Sequence, residues 1–134
     1  MGFRSTLRRL GIFCVMLVAV SGIGSGFATA ASANDVTNFQ VNGPSDETAG
    51  TITWFNRSIG IQGYVTDSTS GWTTVKFNSH TTDSILQATR TANDGTTPFA
   101  FNVDASDVVG GVLRVYIQLC NTGICYGGAT YWRP

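Results

Sequence analysis

Apolar and polar side chains alternate along most of this chain, in short runs broken by glycine, proline, asparagine and aspartate. Ile52 and Trp54 alternate with threonines across 51–57, and Ile59, Ile61 and Val65 share one face of 58–66. Val75 and Phe77 form the next inward pair, while 85–91 alternates more weakly. Phe99, Phe101 and Val103 keep the two-residue period, and Leu113, Val115, Ile117 and Leu119 keep it most clearly. These sets are the expected core. Residues 36–41 offer one further strand ahead of an Asn42-Gly43-Pro44 turn. Asp94-Gly95 and Gly110-Gly111 mark later connections where positive φ is required. No stretch sustains the i, i+3, i+4, i+7 spacing of an amphipathic helix, so the pattern predicts an all-β chain.

Seven to eight short strands in a chain of this length fit an antiparallel β-sandwich, two packed sheets whose inner faces supply the alternating apolar side chains. The run Ser58-Ile59-Gly60-Ile61-Gln62-Gly63-Tyr64-Val65-Thr66-Asp67, followed by Thr74-Val75-Lys76-Phe77, resembles the central strands of bacterial immunoglobulin-like modules, which read V-x-G-x-V-x-D. The resemblance implies an immunoglobulin-like sandwich. The antibody hallmarks are missing: 58–66 holds no cysteine, and Trp72 has the opposite parity to Val75 and Phe77, which puts it at an end of the sandwich. More broadly the chain is similar to small secreted actinobacterial proteins of unassigned function, through Thr89-Arg90-Thr91-Ala92 and the late cysteine pair. Neither likeness brings catalytic residues with it.

The first thirty-three residues read as an export signal. Arg4, Arg8 and Arg9 form a basic n-region, 10–20 is an apolar h-region, and Ala28-Thr29-Ala30 and Ala31-Ser32-Ala33 are alternative cleavage sites. Eleven apolar residues are too few to cross a bilayer core, which takes about 20 in a helix, so no membrane anchor is expected after cleavage. Cys14 lies inside the apolar run behind Phe13, where lipidation would require a small residue. The resulting division is 1–33 signal peptide, 34–50 an N-terminal segment with one candidate strand, and 51–134 the sandwich. The expected location is extracellular.

Removing the signal changes the charge. It carries three of the eight cations and none of the eight anions, which leaves five against eight, a net charge of −3. Arg57, Lys76, Arg90, Arg114 and Arg133 are widely spaced, so a nucleic-acid partner is not expected. About 100 residues make one domain, expected to be monomeric, that buries roughly 60 to 70% of its unfolded surface. A disulfide between Cys120 and Cys125 is expected to reinforce it in an oxidising compartment. Parity sets Cys120 on the face opposite Leu119, so the bond closes a hairpin and does not join the sheets. In the chain-entropy picture it contributes about 2 kcal/mol. Two cysteines and a lone histidine do not make a zinc site, so neither a metal nor a cofactor is expected.

No catalytic residues can be assigned. His80 is the only histidine, none of the seven serines after the signal sits in a Gly-x-Ser-x-Gly setting, and Glu47 is the only glutamate. His80 reads as a polar loop residue, and the aspartates read as turn residues without a calcium-loop pattern. Surface recognition remains. Tyr64 and Tyr116 have outward parity, Trp72 stands at a strand entrance, and Tyr126, Tyr131 and Trp132 crowd the end of the chain. A bulge at Gly127-Gly128 would reverse the parity of Tyr131 and Trp132, and the sequence leaves both registers open. If the strands holding Val75, Val115 and Tyr126 are neighbours, Lys76, Arg114, Tyr116 and Gln118 share one outer face, and these four with Trp72 are the candidate binding residues. Three function classes stand in order: a secreted non-catalytic binding module for an extracellular protein or polysaccharide; an inhibitor of a hydrolase presenting the 121–124 loop; and a hydrolase with an unfamiliar site.

Overall fold

A computed structural model describes residues 34–134; the export signal read at 1–33 lies outside the described residues. The alternating segments form eight antiparallel strands: β1 Asp35–Asn42, β2 Asp46–Trp54, β3 Ile59–Asp67, β4 Thr73–His80, β5 Ile85–Ala92, β6 Gly95–Val103, β7 Arg114–Asn121 and β8 Ile124–Trp132. They make two four-stranded sheets, ordered β1-β2-β3-β6 and β5-β4-β7-β8. The molecule is therefore an antiparallel β-sandwich. Among the described residues there is no helix long and apolar enough to cross a membrane.

Segment 34–50 belongs to the sandwich throughout. β1 pairs with β2 from Asp35 opposite Trp54 to Asn42 opposite Glu47, so the boundary expected at 50–51 falls inside β2. Gly43 N donates to Asp46 O at 2.8 Å across the connecting turn, which lets β2 begin five residues earlier than the alternation alone suggests. A second turn, closed by Phe55 N donating to Ser58 O at 3.1 Å, ends β2 at Trp54 and takes Arg57 out of the strand.

The inner faces bury Ile52, Ile59, Ile61, Val65, Val75, Phe77, Val115, Ile117 and Leu119 almost completely, as the alternation requires. Leu113 departs from it. β7 starts only at Arg114, and Val112 takes the buried place while Leu113 is half-exposed. Val112 N donates to Arg57 O at 2.9 Å, which draws this residue into the end of the sandwich and interrupts the two-residue period. The approach needs Gly111, whose φ is +62° and whose missing Cβ would lie 2.3 Å from Arg57 O.

Aromatic rings fill the centre. Register aligns Phe39, Gly50, Gly63 and Phe99 in one row across the first sheet. Phe77 enters from the opposite sheet between the two phenylalanines, with ring centroids 6.1 Å from Phe39 and 5.3 Å from both Phe99 and Phe101. Phe101 is only half-buried at the open side between β5 and β6, where the Arg90 guanidinium covers its ring at 4.2 Å. Ser79 is the exception inside this core. Its hydroxyl is buried and has no hydrogen-bond partner, so Ser79→Ala is expected to raise stability by about 1 kcal/mol, measurable by chemical denaturation.

The bulge is present. Between Gln118 and Leu119 the β7–β8 register shifts: Gly128 faces Gln118, Tyr126 faces Leu119, and Gly127, with φ of +49°, is the extra residue. Tyr126, opposite Leu119, already faces the core, and the extra residue turns Tyr131 toward the core and Trp132 to the outer face.

Candidate functional site

The outer face of the β5-β4-β7-β8 sheet gathers most of the residues expected to bind. Lys76 lies directly opposite Gln118, Asn78 opposite Tyr116 and His80 opposite Arg114. On the far side of β7, Tyr116 meets Thr130 and Arg114 meets Trp132; beyond β4, Asn78 meets Gln87 and His80 meets Ile85. The four candidates Lys76, Arg114, Tyr116 and Gln118 therefore stand on three successive rows of one face. Trp72 does not join them. It precedes β4 at the disulfide end, two rows or ~14 Å of extended strand beyond Lys76 and ~27 Å from the His80–Arg114 row, and its carbonyl accepts a hydrogen bond from Thr122 N at 2.9 Å.

Two residues of this face escaped the sequence reading. His80 is the last residue of β4, because the turn closed by Thr81 N donating to Ser84 O begins only after it. Its position continues the outward series Thr74, Lys76, Asn78, and that parity was the available signal. Trp132 is 63% exposed, and the Arg114 guanidinium lies 5.1 Å from its ring centroid. Its placement depends on the bulge. Tyr116 lies close over Gly128, where an added Cβ would meet the Tyr116 hydroxyl at 2.5 Å, so the ring rests against the backbone of β8. Gln87 Nε2 donates to Asn78 Oδ1 at 3.0 Å and fixes two amides in the middle of the face.

The electrostatics of this surface oppose those of the domain. Strands β4, β5, β7 and β8 place no carboxylate on it, although the described residues hold eight carboxylates against five Lys and Arg. Desolvation first, and then the nearby Arg114 charge, hold the His80 imidazole below its ordinary pKa, which keeps it neutral near pH 7. Of the remaining cations, Arg57 donates to Ser106 O, Arg133 donates to Val112 O and Phe55 O, and Arg90 covers Phe101. Those three stabilise loops and core, which leaves Lys76 and Arg114 for the outer face.

A different set of polar groups closes the opposite end. Asp46 and Asp67 are register neighbours on β2 and β3, and Thr73 and Asn121 are neighbours on β4 and β7. Asn121 Nδ2 reaches Asp46 Oδ2 at 3.0 Å, Thr69 Oγ1 at 2.8 Å and Thr73 Oγ1 at 3.1 Å, and the Tyr126 hydroxyl also donates to Asp46. Asp67 accepts from Thr69, Thr73 and the Asp94 backbone N–H. Burial and the Asp46 contact push the Tyr126 phenol well up. The network binds the two sheets together and anchors the β7–β8 hairpin, where Cys120 and Cys125 are bonded with Cα atoms 3.9 Å apart. Hollows of about 360 and 230 Å³ flank Asp46. Among the described residues no group of three or more histidine, cysteine, aspartate or glutamate side chains could hold a metal ion.

No family model, curated protein or solved structure matches this chain.

The Asp67 network makes a pH prediction. Burial raises the Asp67 carboxyl, but the hydrogen bonds from Asp94, Thr69 and Thr73 outweigh it and hold the group below the ordinary carboxylate range. A lowered folded-state pKa contributes stability that is fully present above about pH 4 and is lost as the pH falls through the folded value. Thermal unfolding of the wild type and Asp67→Asn is therefore expected to differ most at neutral pH and to converge below about pH 4.

Proposed function

We propose that this protein is an exported, non-catalytic binding module of immunoglobulin-like architecture that engages an extracellular polymer or protein through the outer face of β5-β4-β7-β8. One observation carries the reading: sheet pairing brings Lys76, Arg114, Tyr116, Gln118, His80 and Trp132 onto a single face free of carboxylates. The strand order supports the architecture. β2, β3 and β6 pair as A, B and E strands do, β4, β7 and β8 as C, F and G, and β5 takes the C′ place. The Cys120–Cys125 bond supports an oxidising location.

Co-sedimentation of the oxidised protein with peptidoglycan, chitin and cellulose, together with capture from secreted proteins, tests the reading. Saturable binding that Arg114→Ala/Tyr116→Ala reduces at least about tenfold, without loss of cooperative unfolding, is the expected result. Binding that is indifferent to the double substitution would remove this face from the proposal.

A second reading rests on the hairpin tip. Ile124 is 73% exposed beside Thr122-Gly123, on a loop fixed by the disulfide and by Asn121, and rigidity of that kind lowers the entropic cost of docking into a hydrolase cleft. Inhibition of a protease or glycosidase that Ile124→Ala relieves would favour it. Unchanged activity across a panel of both enzyme classes would dismiss it.

A further inference from the structure

Resting on the reading that this face binds, we infer that its ligand is an acidic polysaccharide, a sugar chain carrying carboxylate, phosphate or sulfate groups.

Charge selects the sign of the ligand. A domain with eight carboxylates and five Lys and Arg presents on this face two cations and no anion, so a polyanion is attracted here and repelled from the acidic remainder. The nearest carboxylate side chain along the chain is Asp83, in the β4–β5 turn beyond the last row. Lys76 and Arg114 stand one strand and two rows apart, ~14 Å, a separation that suits charges repeated along an extended chain and not a single small anion.

Composition selects the sugar. The row between the two cations presents the Asn78–Gln87 amide pair, Thr130 and the Tyr116 ring set against Gly128, and the Lys76 row adds Gln118 and Thr89, polar groups matched to hydroxyls. Trp132 adds a second exposed ring beside Arg114. Flat aromatic faces stack on the C–H faces of pyranose rings, and fixed amides read their hydroxyls. A protein partner is matched less well. Protein interfaces concentrate energy in a desolvated apolar centre, whereas the large exposed apolar side chains here, Trp132 and Ile85, stand at the two ends of one row with Arg114 and His80 between them.

The test is equilibrium binding of the oxidised protein to polygalacturonate, dextran sulfate, uncharged dextran and poly-glutamate, at two salt concentrations. The expected result is binding to at least one of the two acidic polysaccharides, at least about tenfold tighter than to dextran or poly-glutamate and weakened by salt. Lys76→Glu/Arg114→Glu is expected to lower that affinity at least about tenfold, and Tyr116→Ala to lower it while the salt dependence stays. Poly-glutamate binding as tightly would show charge recognition without a sugar and overturn the inference. Equal, face-dependent binding of dextran would overturn the acidic requirement alone and leave the module reading intact. Acidic-polysaccharide binding that neither variant changes would overturn the inference and this face together. No binding to any of the four would overturn the inference, and the capture experiment on secreted proteins would then decide the module reading separately.

Discussion

Phe77→Ala is expected to cost about 4 kcal/mol, the largest loss from a single side chain in this molecule. Phe77 is fully buried and is the one ring that touches both ends of the aromatic row, Phe39 at 6.1 Å and Phe99 at 5.3 Å, as well as Phe101. Its removal leaves a cavity that cannot collapse readily, because the positions facing it on β2 and β3 are Gly50 and Gly63 and have no side chains to move in. A domain of this size is stable by about 5–15 kcal/mol, so the variant retains little or no folded population near its former melting temperature. Denaturant titration followed by the near-ultraviolet signal measures this. A loss below about 1.5 kcal/mol would mean that the two sheets close over the vacancy and that the Phe39–Phe77–Phe99 stack is not what holds them.

Gly63→Ala is expected to cost about 3 kcal/mol, by overcrowding. A Cβ at Gly63 would lie 2.1 Å from Ala49 O and 2.8 Å from Gly50 Cα, both backbone atoms of the paired strand, so no side-chain rotation relieves it. β2 and β3 must separate, and with them the row that supports Phe77. Thermal unfolding is expected to fall by about 15 °C, against little change for Gln62→Ala, whose side chain points outward from the same sheet. A wild-type melting temperature for Gly63→Ala would show that the two strands have more freedom than this close approach implies.

Both effects involve positions that a sequence reading weighs unequally. Phe77 is visible at once, as a large apolar residue in step with Val75. Gly63 is visible only as an interruption between Ile61 and Val65, since the pattern records which face a residue occupies and not what stands across from it on the next strand. The same limit explains Leu113 and Val112. Alternation assigns Leu113 to the core, and the hydrogen bond that Val112 N donates to the Arg57 carbonyl in the β2–β3 turn moves Val112 there in its place.

The candidate face was legible in part for the same reason. Outward parity marks Lys76, Arg114, Tyr116 and Gln118 along their own strands, and the pairing of β4 with β7 turns four separate positions into neighbours. Trp72 has the same outward parity but stands two rows beyond Lys76 and at the far end from Arg114, because antiparallel pairing sets the start of β4 against the end of β7. Parity carries no information about which end of a strand a partner reaches. His80 reads as a loop residue because no apolar partner marks β4 as continuing past Phe77, and Trp132 was hidden by the bulge.

The sequence by itself determined the all-β class, the inward sets of β2, β3, β4, β6 and most of β7, and the Cys120–Cys125 hairpin, because each depends on the two-residue period or on separation along the chain. Tertiary structure alone decided that β1 completes a sheet, that Gly127 turns Trp132 outward, that Asp46, Asp67, Asn121 and Tyr126 meet at one end, and that Arg114 stands between His80 and Trp132. Those outcomes depend on which strands pair and on contacts as distant along the chain as Asp46 and Tyr126, 80 positions apart, and which of many such contacts form is settled by the packing of two whole sheets against each other, a quantity that no local pattern contains.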